Sequence, residues 1–206
     1  MLVVVAEILD QYGFARSGQN GFTVLFINVM GTVKICTLFI CFVFSGRNWC
    51  ADRDLLGRDA AGYQKIVGMA RAELGVREEG HNDGGQIRAY LAYVGIKHPA
   101  AWCAAWVSFV FGRAGYTQPK TAWSPSLFPA SRLVKNANKG LVFGIHYKAL
   151  NRIGHCGIIE QVDGNWLTVI EGNTNIAGSR EGDGVFRRIR HQRTISCFSD
   201  WIIRKL

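Results

Sequence analysis

The chain has 206 residues, 49% of them hydrophobic and 19% charged, with a formal net charge of +9 and a pI near 9.5. This is room for one domain of about 150 residues plus an N-terminal appendage, and the basic excess directs attention to anionic partners: nucleic acid, anionic lipid or an anionic polymer such as cell wall. The six cysteines (Cys36, Cys41, Cys50, Cys103, Cys156 and Cys197) form no CxxC, and no HxxxH occurs, so a structural zinc site finds little support.

Residues 1–21 carry no usable motif. Phe22–Phe44 is apolar except for Lys34, Asn28 and small polar residues. Its length suits a membrane span, but a lysine near its middle is costly there. An export signal fits better: a start at Met30, Lys34 in a short n-region, Ile35–Phe44 as the h-region and Ser45-Gly46 as a small-residue exit. Residues 1–50 are therefore read as a leader and residues 51–206 as the functional domain. The mature protein is expected in the periplasm, the envelope or the medium, touching a membrane only if the apolar segment is retained. Cys50 is a poor lipidation site, because Asn48 and Trp49 are not small. With cleavage at about Ser45–Arg47 removing Cys36 and Cys41, and with Cys103 reduced, Cys50, Cys156 and Cys197 remain, an odd number that makes a poor disulfide framework.

Helical patterns follow. Ala60–Val76 places Tyr63, Ile66, Val67, Ala70 and Leu74 on one face and ends at Gly75. Glu78–Gly85 reads as a loop, with Asn82 or Asp83 able to cap a second helix over Gln86–Val94. Ala100–Gly115 (AAWCAAWVSFVFGRAG) repeats apolar side chains at Trp106, Val107, Val110, Phe111 and Ala114, the period of a buried helix. Pro99 suits its entry and Gly112 and Gly115 its end. Cys103 falls in the first turn, where unpaired N–H groups and the helix dipole favour thiolate. A cysteine in an apolar helix is ordinarily an inert core residue, so this stretch alone assigns no chemistry.

Tyr116–Asn138 is loop-like, with Pro119, Pro125 and Pro129. Strands are predicted over Leu141–Tyr147, Gly154–Val162, Trp166–Gly172, Val185–His191 and Trp201–Leu206. Three helices and then about five strands is an α+β order with a small antiparallel sheet. The arginines Arg187, Arg188, Arg190 and Arg193 cluster on one late strand, as a solvated face or a surface for an anion.

A nucleophilic cysteine needs a base and a group that orients it. Of His81, His98, His146, His155 and His191, His155 opens a strand and is bracketed by Gly154 and Gly157, which would leave room beside the imidazole. Taking Asp163-Gly164-Asn165 as a three-residue hairpin loop pairs Val162 with Trp166. Gly157 then lies opposite Glu171, and His155 opposite Asn173. Alternation puts His155, Glu171 and Asn173 on one face, with Glu171 reaching His155 diagonally and Asn173 directly. A two-residue loop would flip one strand and break this. Cys156 points to the opposite face, against a Cys103–His155–Cys156 metal cluster.

These same stretches, WCAAWVSFVFGRAG, GHCGIIEQVDG and TVIEGNTN, resemble the CHAP domains, cysteine- and histidine-dependent amidohydrolases/peptidases of papain-like (NlpC/P60-type) fold acting mostly on bacterial peptidoglycan. ARAELGVREEGHNDGGQIRAYL also resembles the helical lead-in of one CHAP-like group, and the likeness spans about residues 60–206. It implies a papain-like α+β domain with Cys103 as nucleophile, His155 as base, Glu171 orienting the imidazole and Asn173 as a further polar site position. It further implies a cofactor-free, metal-free monomer that cleaves an amide of wall peptide through a thioester. Where the family usually has an acidic residue after glycine, Gly140 is followed by Leu141, and Trp106 stands where phenylalanine is common. A non-catalytic basic wall-binding protein and a membrane-anchored envelope protein are the alternatives. No nucleic-acid motif occurs, so no nucleic-acid partner is expected.

Overall fold

The computed structural model describes residues 47–175 and 182–202. The expected signal segment lies outside them. Helix α1 (Arg47–Ala72) runs across residue 50, so the expected boundary between leader and domain falls inside a helix. Its Ile66, Val67 and Ala70 are buried as the periodicity requires, and Gly75 follows its end at φ +89°. Helix α2 (Gly85–Tyr93) starts without a side-chain cap. Asn82 and Asp83 do not cap it as expected, because Gly84 intervenes at the cap position. The Asp83 carboxylate instead accepts from Gly84 N–H and from Arg88 Nη1, both at 2.8 Å. Helix α3 (Cys103–Arg113) buries Trp106, Val107, Val110 and Phe111 completely.

Six strands form one antiparallel sheet: β1 (Leu133–Val134), β2 (Val142–Tyr147), β3 (Arg152–Asp163), β4 (Trp166–Thr174), β5 (Gly184–His191) and β6 (Cys197–Ser199), in the order β1-β6-β2-β3-β4-β5. The α+β class stands. Val142, Cys156, Ile158, Ile170 and Val185 join α3 in one apolar cluster, and Phe143, Ile159, Leu167, Val169 and Phe198 form a second. Trp201 and Ile202 are not in the strand expected over Trp201–Leu206, whose remainder lies outside the described residues, and the last described strand comes earlier. It is Cys197–Ser199, after which Asp200 turns the chain by accepting Ile202 N–H at 2.9 Å and Trp201 Nε1 donates to Leu127 C=O at 3.0 Å. Within the stretch read as loop lie two 3-10 turns (Ser124–Leu127 and Ala130–Arg132) and β1. Among the described residues no helix is long and apolar enough to cross a membrane.

The β3–β4 hairpin departs from the expected loop length. Asp163 pairs with Trp166, leaving a two-residue turn, Gly164-Asn165, with Gly164 at φ +53°. That shift alone would turn Glu171 away from His155. It is undone five residues from the site: Glu160 is an extra residue on β3, between the pairs Gln161–Thr168 and Ile159–Val169. Beyond this bulge Ile158 pairs with Ile170, the register expected from the longer loop. Glu160 is buried and held by Arg71 Nε at 2.5 Å and by Arg187 through two bonds, at 2.6 and 2.9 Å. These arginines hold its carboxyl below the usual range, with the Arg187 bonds the larger cause.

Candidate active site

Cys103 is the first residue of α3 and is 6% exposed. The chain is fixed just before it. Trp102 is fully buried, and its Nε1 donates to Glu78 Oε1 at 2.6 Å, so the Glu78–Gly85 loop anchors the helix start. On the other side the Asn173 amide oxygen accepts from Trp102 N–H at 3.1 Å, while its nitrogen donates to Gly182 C=O at 3.0 Å. Asn173 itself sits at φ +54°, a left-handed conformation that asparagine tolerates and that takes its side chain out of strand alternation. Asn173 thus belongs to the site, but it grips the backbone beside the cysteine and not His155, as the sequence register had it. Gly172 permits this approach, since a Cβ there would come within 2.9 Å of the Trp102 and Trp106 rings.

His155 and Glu171 meet as the register requires. His155 Nε2 lies 2.9 Å from Glu171 Oε2, and the two side chains are 1% and 0% exposed. His155 Nδ1 is buried with no aligned hydrogen-bond partner, and the Cys103 sulfur interacts with the ring. An extra residue on β3, Gly154, separates the pairs Ile145–His155 and His146–Ile153 and re-aims the strand just before the histidine. The bracketing glycines make room for other groups than the imidazole. A Cβ at Gly154 would strike the Tyr147 ring at 2.2 Å, and one at Gly157 would strike Ile170 C=O and the Phe143 ring at 2.7 Å. His81, His98 and His146 are exposed, and His191 packs edge-on against Trp166.

Residues that sequence reasoning missed complete the constellation. Arg190 donates to Glu171 through Nε, and through Nη2 at 2.7 Å. Ser124 Oγ is 3.4 Å from Cys103 Sγ. Cys156 is fully buried in the α3 cluster, near enough to Cys103 for the two thiols to interact. Alternation does send it to the helix side of the sheet, but that side is where Cys103 lies. Cys103, Cys156 and Cys197 are all free thiols, and among the described residues no His/Cys/Asp/Glu group has the arrangement of a metal site.

The electrostatics follow from these contacts. A helix terminus contributes about 0.3–1 kcal/mol, under the 1.36 kcal/mol of a single pKa unit, so the dipole alone leaves a cysteine largely protonated at neutral pH. The Cys103 thiol is nevertheless held well below its usual range, chiefly by its interaction with Cys156 and then by that with His155, both working against burial. Cys156 is pushed up well above the thiol range by burial and by its anionic neighbour. Burial opposes a charged His155, yet Cys103 and Glu171 outweigh it and raise the imidazole to about 9. Burial likewise opposes a charged Glu171, and Arg190 and His155 outweigh it, lowering the carboxyl to about 2. The arrangement favours a thiolate–imidazolium pair at neutral pH.

The site opens onto a cleft of about 390 Å³ lined by Cys103, Trp123, Ser124, Arg152, Gly154 and Asn173 on its polar side. The arginine-rich strand is mostly turned to internal use. Arg187 binds Glu160, Arg190 binds Glu171, and Arg188 Nη1 donates to Asn175 C=O.

No protein-family model matches the chain, and no curated protein matches it. Two solved structures of Ly7917 are similar to it. One is 16% identical with a TM-score of 0.40, over 66% of this chain and 60% of that one. The other, Ly7917 with the hydrolyzing product of MDP, is 17% identical with a TM-score of 0.39, over 66% and 61%. The chain thus spans about three-fifths of the length of these structures, and TM-scores at this level do not establish a shared fold.

Proposed function

We propose that this chain is a cysteine-dependent amide hydrolase of CHAP-like, papain-like design, exported and acting on bacterial peptidoglycan. The observation that carries the reading is the buried His155–Glu171 pair, in which the imidazole spends Nε2 on a carboxylate, keeps Nδ1 without a hydrogen bond, and interacts with the Cys103 thiol at a helix N-terminus beside an open cleft.

In this reading the Cys103 thiolate adds to an amide carbonyl carbon, and the Cys103 backbone N–H at the helix start supports the oxyanion. His155, protonated at the outset, gives its proton from Nδ1 to the leaving amine as the C–N bond breaks and the thioester forms. Neutral His155 then takes a proton from water as the hydroxide adds to the thioester. Collapse releases the acid and returns the proton-sharing Cys103–His155 pair. Glu171 stays ionised throughout, because it stabilises the imidazolium without accepting its proton. No cofactor enters the scheme, and the acting unit is a monomer.

Purified peptidoglycan incubated with the wild type and with Cys103→Ala tests this. New amino groups and the corresponding peptide fragments in mass spectrometry are expected from the wild type alone. Equal release by both proteins, or binding to sacculi with no release by either, overturns it in favour of a non-catalytic wall-binding or envelope protein.

A further inference from the structure

The cleft beside the Cys103 thiolate is lined by one cationic side chain, Arg152, and, among the described residues, by no carboxylate. Arg152, at the start of β3, lies with its guanidinium carbon 4.0 Å from the centre of the Trp123 ring. One of its donors, Nη1, reaches Ile153 C=O at 3.0 Å. Among the described residues no carboxylate pairs with it, which sets it apart from Arg71, Arg77, Arg88, Arg187 and Arg190. A guanidinium held over an indole by cation–π attraction is restrained in place, so its remaining donors can meet a carboxylate with little further loss of freedom. Trp123 is about half exposed, so the pair stands at the mouth and not in the core. The remaining wall is small and apolar: Ile96, Ala100, Ala101 and Ala122. Such a wall suits a short aliphatic side chain of the alanine class and has no partner for a substrate cation.

We infer that Arg152, braced by Trp123, binds a carboxylate of the peptide close to the amide that Cys103 attacks, making the cleft selective for anionic peptides with small apolar neighbours. This deepens the hydrolase reading and rests on it. Arg152 is a specificity residue and takes no part in bond breaking. Trp123 acts through it as a positioning residue.

The test uses three versions of one stem peptide, L-Ala-γ-D-Glu-L-Lys-D-Ala: both carboxyl groups free, only the D-Glu α-carboxyl amidated, and only the terminal carboxyl amidated. A charge-assisted bond of this kind corresponds to about 10- to 100-fold in affinity or rate. One of the two amidations is expected to lower wild-type kcat/KM by that factor. Arg152→Met should remove the discrimination, so that its values for the three peptides converge, and Trp123→Ala should weaken it while Trp123→Phe retains it. Equal wild-type rates on all three peptides, or discrimination that survives in Arg152→Met, overturns the inference and leaves the hydrolase reading intact. Calorimetric binding to Cys103→Ala, with and without Arg152→Met, separates the two failures. Arg152-dependent binding of the free peptide without hydrolysis by wild type keeps the carboxylate site and removes the hydrolase. Neither binding nor hydrolysis of any version overturns both.

Discussion

His155 and Arg190 meet on one oxygen of Glu171, Nε2 at 2.9 Å and Nη2 at 2.7 Å. The carboxylate is therefore not a free counter-ion for the imidazole. It is held by a guanidinium that is only 15% exposed, and its charge is divided between two cations. The arginine fixes the rotamer of Glu171 and lowers its pKa, while weakening the field it presents to His155.

Glu171→Gln is expected to cost on the order of 10²- to 10⁴-fold in kcat, by analogy with loss of a triad carboxylate, and to lower the His155 pKa from about 9. Asn173→Ala should cost less and act differently. It frees Trp102 N–H and loosens the turn that delivers Cys103, so its loss should leave the His155 titration in place. NMR titration of His155 beside steady-state kinetics distinguishes them. A His155 pKa that moves in Asn173→Ala and not in Glu171→Gln would reverse the two roles.

Glu171→Gln also leaves the Arg190 guanidinium buried without its anion, which costs more than the lost bond to histidine. The double variant Glu171→Gln/Arg190→Met should therefore unfold at higher denaturant than Glu171→Gln alone, while regaining little activity. A double variant less stable than the single one would show that Arg190 draws its support from elsewhere.

Alkylation reads the thiols directly. Iodoacetamide should modify Cys103 before Cys156, which is held protonated, and before Cys197, which burial raises to about 11. In Cys156→Ala the thiolate loses its chief stabilising contact, so the midpoint of Cys103 alkylation should move to higher pH. An unchanged midpoint would leave His155 as the source of the acidity.

Two pH windows follow with opposite signs. Glu171 titrates near 2 in the fold against an ordinary 4.5, so its stabilisation is complete above about 4.5 and is lost as pH falls toward 2. The denaturation midpoint of the wild type should drop across that range, and that of Glu171→Gln should drop less. His155 is raised to about 9 from 6.5, so the contribution of its protonated form is complete below 6.5 and is lost as pH rises through 9. Turnover should show an alkaline limb near 9 as well, since neutral His155 has no proton for the leaving amine. An alkaline limb near 6.5 would mean that the imidazole is not held charged.

The elements and the central trio were legible because they rest on local periodicity. The α3 pattern located Cys103, while the expected meeting of His155 and Glu171 assumed a three-residue loop and holds only because the Glu160 bulge makes up for the two-residue turn. The groups that complete the site were not, since each arrives from a distant segment. Glu78 reaches Trp102 from a loop, Ser124 reaches Cys103 from a 3-10 turn, and Arg190 crosses from the edge strand. A signal for Arg190 was present: a carboxylate inside an apolar strand, followed by a strand dense in arginine, calls for internal pairing as much as for an external anion. Asn173 was misplaced because alternation assumes extended backbone, and its φ of +54° is not extended.

The hairpin makes the position of the site a matter of parity. What aligns His155 with Glu171 is the sum of turn residues and bulged residues between them, and any odd change in that sum exchanges the two faces. The Gly164-Asn165 turn and the Glu160 bulge are thus interchangeable ways of counting the same residue. A chain lacking residue 160 would present Glu171 to the wrong side, and one further residue in the turn would bring it back. Two single-residue length changes, each ruinous alone, would together be silent at the active site. Kinship between such chains is measured better by counting along the hairpin than by aligning it column by column.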